Sequence, residues 1–208
     1  MRKIIVSLNI TLDGFIASEN LALDWHFRYW NEELAHFATE QLNRADSIIM
    51  GRITYEAMKD YWPGKALDLS YPREDICFAE MMNSHTKIVF SRTLDKSGWK
   101  NTRFVQGALR KEVESLKMQP GKHIMIYGSC SIVSALMRNK LIDEYILWIH
   151  PVVLGKGRSL FASTSQKENL VFKSVRTFRS GVVVLTYKTQ YRADEYQNKN
   201  YGEIQFKR

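Results

Sequence analysis

The sequence predicts one mixed α/β domain. Three observations carry this. Short β-branched apolar runs alternate with segments of helical periodicity up to about residue 150. The last two apolar runs flank Ser180-Gly181 as a hairpin would, and no linker, internal repeat or low-complexity tract interrupts the chain. Alternation implies parallel crossovers, and a closing hairpin adds antiparallel strands. The 208 residues suffice for a full core, and 45% hydrophobic with 25% charged residues is the usual globular balance.

The elements follow in order. "KIIVSLNI" is nearly continuously apolar and reads as a central strand buried on both faces. "TLDGFIASENLALDW" reads as a loop around the turn Asp13-Gly14. "NEELAHFATEQLNRA" places Leu34, Phe37, Ala38 and Leu42 on one helical face, with Asn31 as N-cap. "DSIIM" is a short buried strand. "RITYEAMKDY" is a short helix stopped by Trp62-Pro63-Gly64, and Lys65 to Pro72 reads as irregular. "REDICFAEMMNSH" is a helix, and "TKIVFS" and "TRFVQ" are strands. "GALRKEVESLKMQ" is an amphipathic helix ended by Pro120-Gly121. "HIMIYG" is a strand, "SCSIVSALMRNKL" a helix, and "IDEYILWIHPVVLG" a long strand. "LVFKSVRTFRSGVVVLTYKTQY" is the hairpin. One domain over 1–190 follows, with a basic C-terminal tail over 191–208.

Composition excludes several classes. The net charge of +8 favours acidic ligands, nucleotides among them, yet no dense Lys/Arg block marks a specific nucleic-acid surface. Nucleic-acid binding is therefore expected to be nonspecific. Cys77 and Cys130 suggest neither a metal site nor a disulfide framework, and reduced thiols point to the cytoplasm. Asn9 and Asp13 interrupt the N-terminal apolar run too early for a signal peptide. No stretch has the apolar length of a transmembrane helix.

Chemistry concentrates at three strand-to-loop junctions. In "SIIMGRITYEAM", Gly51, Arg52 and Thr54 sit where a strand ends and a helix opens. Unpaired backbone N–H groups and the helix dipole favour an anion there. An ordinary turn with a solvated arginine explains the same residues. In "IVFSRTL", Ser91 and Arg92 leave a strand, and in "IMIYGSCSIVSAL", Gly128 and Ser129 open a helix after Tyr127. Ligands of open α/β sheets lie beyond the carboxyl ends of strands. Three such ends bearing Gly, Ser, Thr and Arg suit a ligand with several phosphates. The third junction is not G-x-G-x-x-G, so a Rossmann site is unsupported.

Taken in order and at sensible spacing, these motifs resemble the dihydrofolate reductase superfamily. The closer likeness is to its branch related to the reductase domain of bacterial riboflavin biosynthesis, over about residues 2 to 162. "SLNITLDGFIA" resembles the first strand and active-site loop, and "IIMGRITYEAM" the Gly-Arg-x-Thr phosphate motif. "VFSRTL" resembles the adenosine-phosphate loop, and "IMIYGSCSIVSAL" the second phosphate loop. "LIDEYILWIHPVVLGKGRSLF" is similar to a strand and loop of the riboflavin-type branch. The resemblance implies a mixed, mostly parallel sheet flanked by helices with a C-terminal antiparallel hairpin. It also implies NADPH as cofactor. Gly51, Arg52 and Thr54 would bind phosphates, and Ser91 and Arg92 the adenosine 2′-phosphate. Tyr127, Gly128, Ser129 and Cys130 would offer the pyrophosphate loop, and backbone near Asn9 and Ile16 would meet the nicotinamide carboxamide.

The chain also departs from the folate enzymes. Their paired glycines are replaced by Gly128-Ser129, which fits if Ser129 keeps φ below zero. Their helix carboxylate falls near Ala35, with Glu32 and Glu33 one turn earlier as helix-dipole partners. No arginine matches the one that holds a folate tail. Trp25 and Trp30, with Tyr29, cluster where the family meets its substrate, and either stack a flat heterocycle or fill a core. The five histidines lack metal spacing, and His150, among apolar neighbours, reads as structural. Cys130 is a small loop residue or, at a helix N-terminus, a reactive thiol. Asp13 and Asp24 are candidate proton donors that also suit turns.

The expected function is NADPH-dependent reduction of a small heterocycle, with a riboflavin-type pyrimidine reductase rather than a true folate reductase as the pattern. A homodimer paired through the late strands is expected. The alternative is a non-catalytic nucleotide-binding or interaction protein that retains the fold.

Overall fold

The computed structural model describes residues 1–96, 98–162 and 167–193. The chain runs β1 (Ile4–Thr11), β2 (Phe15–Ala17), α1 (Asp24–Phe27), α2 (Glu32–Asn43), β3 (Ala45–Gly51), α3 (Arg52–Met58), α4 (Tyr61–Leu67) and α5 (Arg73–Ser84). It continues with β4 (Thr86–Phe90), β5 (Thr102–Val105), α6 (Leu109–Met118), β6 (His123–Ile126), α7 (Cys130–Arg138) and β7 (Glu144–His150). It closes with β8 (Arg158–Ser159), β9 (Leu170–Thr177), β10 (Val183–Thr189) and α8 (Gln190–Ala193). Most of the tail expected from residue 191 lies outside the described residues.

One 8-stranded sheet has the order β5-β4-β3-β6-β1-β7-β10-β9. The first six strands in that order are mutually parallel. β10 is antiparallel to β7, and β9 to β10. The expected architecture is therefore present: a mostly parallel sheet ending in an antiparallel hairpin. A separate two-stranded ribbon pairs β2 with β8.

β1 shows why its sequence is apolar throughout. Ile4, Val6, Leu8 and Ile10 enter a core on one face with Val113 and Leu116 of α6 and Ile132, Val133 and Leu136 of α7. Ile5 enters the core on the other face, with Leu34, Ala38 and Leu42 of α2 and Phe78 and Met82 of α5. Alternate strand residues point to opposite faces, so a strand covered on both sides needs apolar residues at every position. Two ion pairs sit at the amino ends of strands: the buried pair of Lys117 with Asp143, and buried Arg2 with the more exposed Asp46.

The structure corrects three sequence expectations. Trp62-Pro63-Gly64 does not stop a helix; Pro63 is the third residue of α4. The first amides of a helix have no intrahelical acceptor, so proline is tolerated there. Lys65 to Pro72 is not simply irregular, because α4 continues to Leu67. Lys65 Nζ pairs with Asp75 Oδ2 at 2.9 Å and lies over the Tyr71 ring, pinning α4 to α5. The long strand expected from Ile142 ends at His150, because Pro151 cannot donate to the ladder. The loop after β1 also carries the strand β2 and the short helix α1. The Asn31 cap is as expected, its Oδ1 accepting from Leu34 N at 3.0 Å.

Candidate functional site

Six parallel strands place their carboxyl ends on one edge of the sheet. Asn9 of β1, Gly51 of β3, Ser91 after β4, Tyr127 and Gly128 after β6 and His150 of β7 therefore gather there. A cavity of about 440 Å³ lies at the other edge, lined by Arg2, Asp46, Thr86 and Arg103. None of the sequence-predicted site residues lines it.

Gly51 and Gly128 bring two junctions into contact. A Cβ on Gly51 would lie 2.5 Å from Ser129 Oγ. A Cβ on Gly128 would lie 3.0 Å from Thr54 Cγ2 and 3.1 Å from Thr54 Oγ1. The start of α3 and the start of α7 thus abut because neither glycine carries a side chain. Gly128 has φ of 77°. Ser129 has φ of 65°, so the expectation of a negative φ is overturned. The chain needs two consecutive left-handed residues to enter α7, and the serine adopts that conformation at a cost of about 1–2 kcal/mol. Two helix N-termini brought side by side carry backbone amides of the kind that suit an anionic ligand such as a pyrophosphate.

The cations lie at the rim. Arg52 is exposed, and its Nη1 donates to Glu56 Oε2 at 2.9 Å, one turn along α3. Arg92 is exposed after β4. Ser91 is buried, and its Oγ accepts from Thr93 N at 3.2 Å and Leu94 N at 2.9 Å, so its acceptor capacity serves its own turn. Cys130 Sγ lies 3.7 Å from Ser159 O and ties α7 to the β2–β8 ribbon. Burial raises its thiol pKa, with Arg158 opposing, which argues against the reactive-thiol reading. Arg158 is a cation at this junction that the sequence reading did not single out; its signal was the segment Gly155-Lys156-Gly157-Arg158. Gly157 is required there, since a Cβ would lie 2.4 Å from Ala17 O.

The end of β1 carries an aromatic cluster. Asn9 Oδ1 accepts from His150 Nε2 at 2.9 Å. Trp25 meets the His150 ring edge-on, with centroids 5.3 Å apart, and His26 and Tyr29 pack on the same ring. Burial, and secondarily His26, holds the His150 pKa down to about 4. Burial lowers the His26 pKa too, against the Leu23 carbonyl and Asp24. Ile16 of β2 packs against the β1 core. Trp30 is placed apart from the cluster: its Nε1 donates to Asp75 Oδ1 at 2.8 Å and it packs on the α2–α5 core. Tyr127 packs on that same core, and burial raises its hydroxyl pKa.

Of the proton-donor candidates, Asp13 is occupied elsewhere and Asp24 lies in the first turn of α1. Ala35 is 1% exposed and offers no group. Glu33 Oε2 accepts from Arg179 N at 3.3 Å, linking α2 to the β9–β10 turn. Asp13 accepts from Thr11 Oγ1 and from the amides of Leu154 and Gly155, and the Thr11 bond is the largest cause of its lowered pKa. Among the described residues no group of three or more His, Cys, Asp or Glu could hold a metal ion, and no helix is long and apolar enough to cross a membrane.

Comparison with known proteins agrees with this architecture. The sequence profile of the RibD C-terminal domain matches residues 2–184. The Bacillus subtilis protein YyaP is 37% identical over 186 residues, which cover 89% of this chain and 94% of that protein. YwjB of the same organism is 29% identical over 181 residues, covering 87% and 95%. A putative riboflavin biosynthesis protein from Shewanella superimposes with a TM-score of 0.70 at 22% identity, covering 90% of this chain and 98% of that one. A Thermotoga maritima diaminohydroxyphosphoribosylaminopyrimidine deaminase/5-amino-6-(5-phosphoribosylamino)uracil reductase gives a TM-score of 0.63 at 15% identity, over 90% of this chain and 56% of that one. The chain belongs to the RibD C-terminal domain family, and its fold is that of the riboflavin-type branch of the dihydrofolate reductase superfamily.

Proposed function

We propose that this RibD C-terminal-domain protein is an NADPH-dependent reductase of a small heterocycle, patterned on the pyrimidine reductases of riboflavin synthesis. The observation that carries the reading is the pair of abutting junctions, Gly51 against Ser129 and Gly128 against Thr54, at the carboxyl edge of the sheet. NADPH, when bound, supplies the hydride. The protein supplies position and exclusion of water. The amides at the start of α7 and Thr54 would take the pyrophosphate, and Arg52 and Arg92 would take the 2′-phosphate as charged donors. Asn9 and Ile16 would border the nicotinamide, and Trp25 would shield that end from water.

The fall in NADPH absorbance with pterins, pyrimidines and quinones as acceptors is the test. Dihydrofolate is expected to give no useful turnover, because a missing general acid costs about 10²–10⁴-fold in rate. Failure of NADPH to bind would remove the reading. Buried Ala35, where folate enzymes place a carboxylate, favours a second reading: a nucleotide-binding protein that retains the fold without the chemistry. NADPH binding with no acceptor reduced would select it. The reading further includes a cytoplasmic homodimer with no specific nucleic-acid partner.

A further inference from the structure

His150 is the last residue of β7 and 1% exposed. Its Nε2 faces Asn9 Oδ1 at 2.9 Å. A carboxamide oxygen only accepts, so Nε2 carries the hydrogen and the neutral ring keeps a lone pair at Nδ1. That Nδ1 is buried and has no partner. Trp25, 9% exposed, likewise has a buried Nε1–H with no acceptor. By contrast, Trp30, Trp99 and Trp148 place their indole N–H groups on Asp75, Asn83 and Ser7. Trp62 is also unpaired, and its ring contacts are with Tyr61 and Phe78. An unpaired buried polar atom costs about 1–3 kcal/mol. One bare donor and one bare acceptor, on rings whose centroids lie 5.3 Å apart, are complementary to a ligand that offers both.

We propose that Trp25 Nε1–H and His150 Nδ1 read the polar edge of the reductase's acceptor, a neutral heterocycle with adjacent C=O and N–H groups. The indole N–H donates to the carbonyl, and the imidazole lone pair accepts from the ring N–H. Asn9 fixes which imidazole nitrogen is bare. Tyr29 and His26, packed on the His150 ring, wall the place with aromatic surface. An anionic ring is disfavoured, because among the described residues no Lys or Arg is a ring partner in this cluster. The site opens when the segment carrying Trp25, His26 and Tyr29 lifts from His150. That segment shows its apolar Leu21, Leu23 and Phe27 to solvent rather than to the core. The inference rests on the reductase reading, and it names the groups that select the acceptor.

The test is calorimetric titration of the full chain with 5,6-diaminouracil as probe, with and without NADPH. Trp25→Phe keeps the stacking and loses the N–H. In His150→Gln the amide reaches the Nε2 position, whereas in His150→Asn it reaches the Nδ1 position. Trp25→Phe and His150→Gln are expected to weaken the probe at least ten-fold, and His150→Asn to stay within about three-fold of the parent. The 1,3-dimethyl form of the probe, with both ring N–H groups blocked, is expected to bind the parent at least ten-fold more weakly. A single cooperative urea transition and a parent-like circular-dichroism spectrum show that each variant is folded. Equal probe affinity across the parent, Trp25→Phe and His150→Gln overturns the proposal, as does a parent that binds NADPH but no probe. NADPH failing to bind while the probe follows this pattern removes the reductase reading and leaves the recognition site.

Discussion

The β-carbon that Gly51 lacks would lie 2.5 Å from Ser129 Oγ, so β3–α3 and β6–α7 meet too closely to admit one more carbon. Ser129 holds its hydroxyl there with φ of 65°, a conformation glycine adopts freely. Gly51→Ala is expected to destabilise the chain by about 1–3 kcal/mol and to displace Ser129. Ser129→Gly is expected to lie between neutral and about 1 kcal/mol more stable, as relief of the left-handed serine offsets the freer unfolded chain. The double variant should recover most of the Gly51→Ala loss, a coupling that urea denaturation of the four proteins measures. Simple additivity would mean that the two residues do not communicate.

NADPH is expected to bind ten- to a hundred-fold more tightly than NADH, because charged hydrogen bonds to a 2′-phosphate are worth about 1.5–3 kcal/mol each. Arg52 is held by Glu56. Glu56→Gln should therefore free the guanidinium and widen the preference, while Arg92→Ala narrows it. Equal affinities for the two cofactors in calorimetry would take both arginines out of the site.

Acid should destabilise the protein before its carboxylates titrate. The folded pKa of His150 is held down to about 4, below the ordinary 6.5. The unfolded chain then binds more protons between those values, so stability is intact above about pH 6.5 and is lost as pH falls towards about 4. His26, also lowered by burial, adds in the same direction. Urea midpoints at pH 7 and pH 4.5 measure the effect, and His150→Leu should show a smaller drop. An unchanged drop in that variant would place the acid sensitivity elsewhere.

The proposed homodimer is expected to pair through the late strands. Leu147 of β7, Leu185 of β10 and Val175 of β9 lie in one row, and Tyr145, Tyr187 and Phe172 in the next. Phe172 is 56% and Val175 53% exposed. Such rows are costly in water and suited to pairing. Light scattering at micromolar concentration should give twice 24.3 kDa, and Phe172→Glu should shift the protein towards monomer. A parent mass near 24.3 kDa would leave this face without a second copy.

Much of the architecture was legible from local chemistry. β1 announced itself as a twice-covered strand because every position from Ile4 to Leu8 except Ser7 is apolar, and Ser7 is used by the Trp148 indole. Asn31 announced the start of α2 because few other residues cap the amide three positions on. Gly51-Arg52 and Gly128 marked strand ends at the carboxyl edge of the sheet, because glycine where an apolar run gives way to helical periodicity is a local signal. α4 was not legible. Its proline argues against a helix locally, and what holds it is the Lys65–Asp75 pair, whose partner belongs to the next helix.

The sequence by itself determined the alternation, the strands of the eight-stranded sheet, the cap at Asn31 and the junctions that carry glycine and arginine, because each depends on residues within a turn or two of one another. Only the tertiary structure decided that Ser129 is left-handed, that Arg158 stands at the same junction as Cys130, and that His150 and Trp25 share one cluster. Those relationships join residues 28 to 125 positions apart, and they follow from the sheet order, which sets β1 between β6 and β7. Hydrophobic periodicity records which face of a strand is buried and carries no information about which strand lies beside it. The polar groups that meet at the carboxyl edge are therefore chosen by topology.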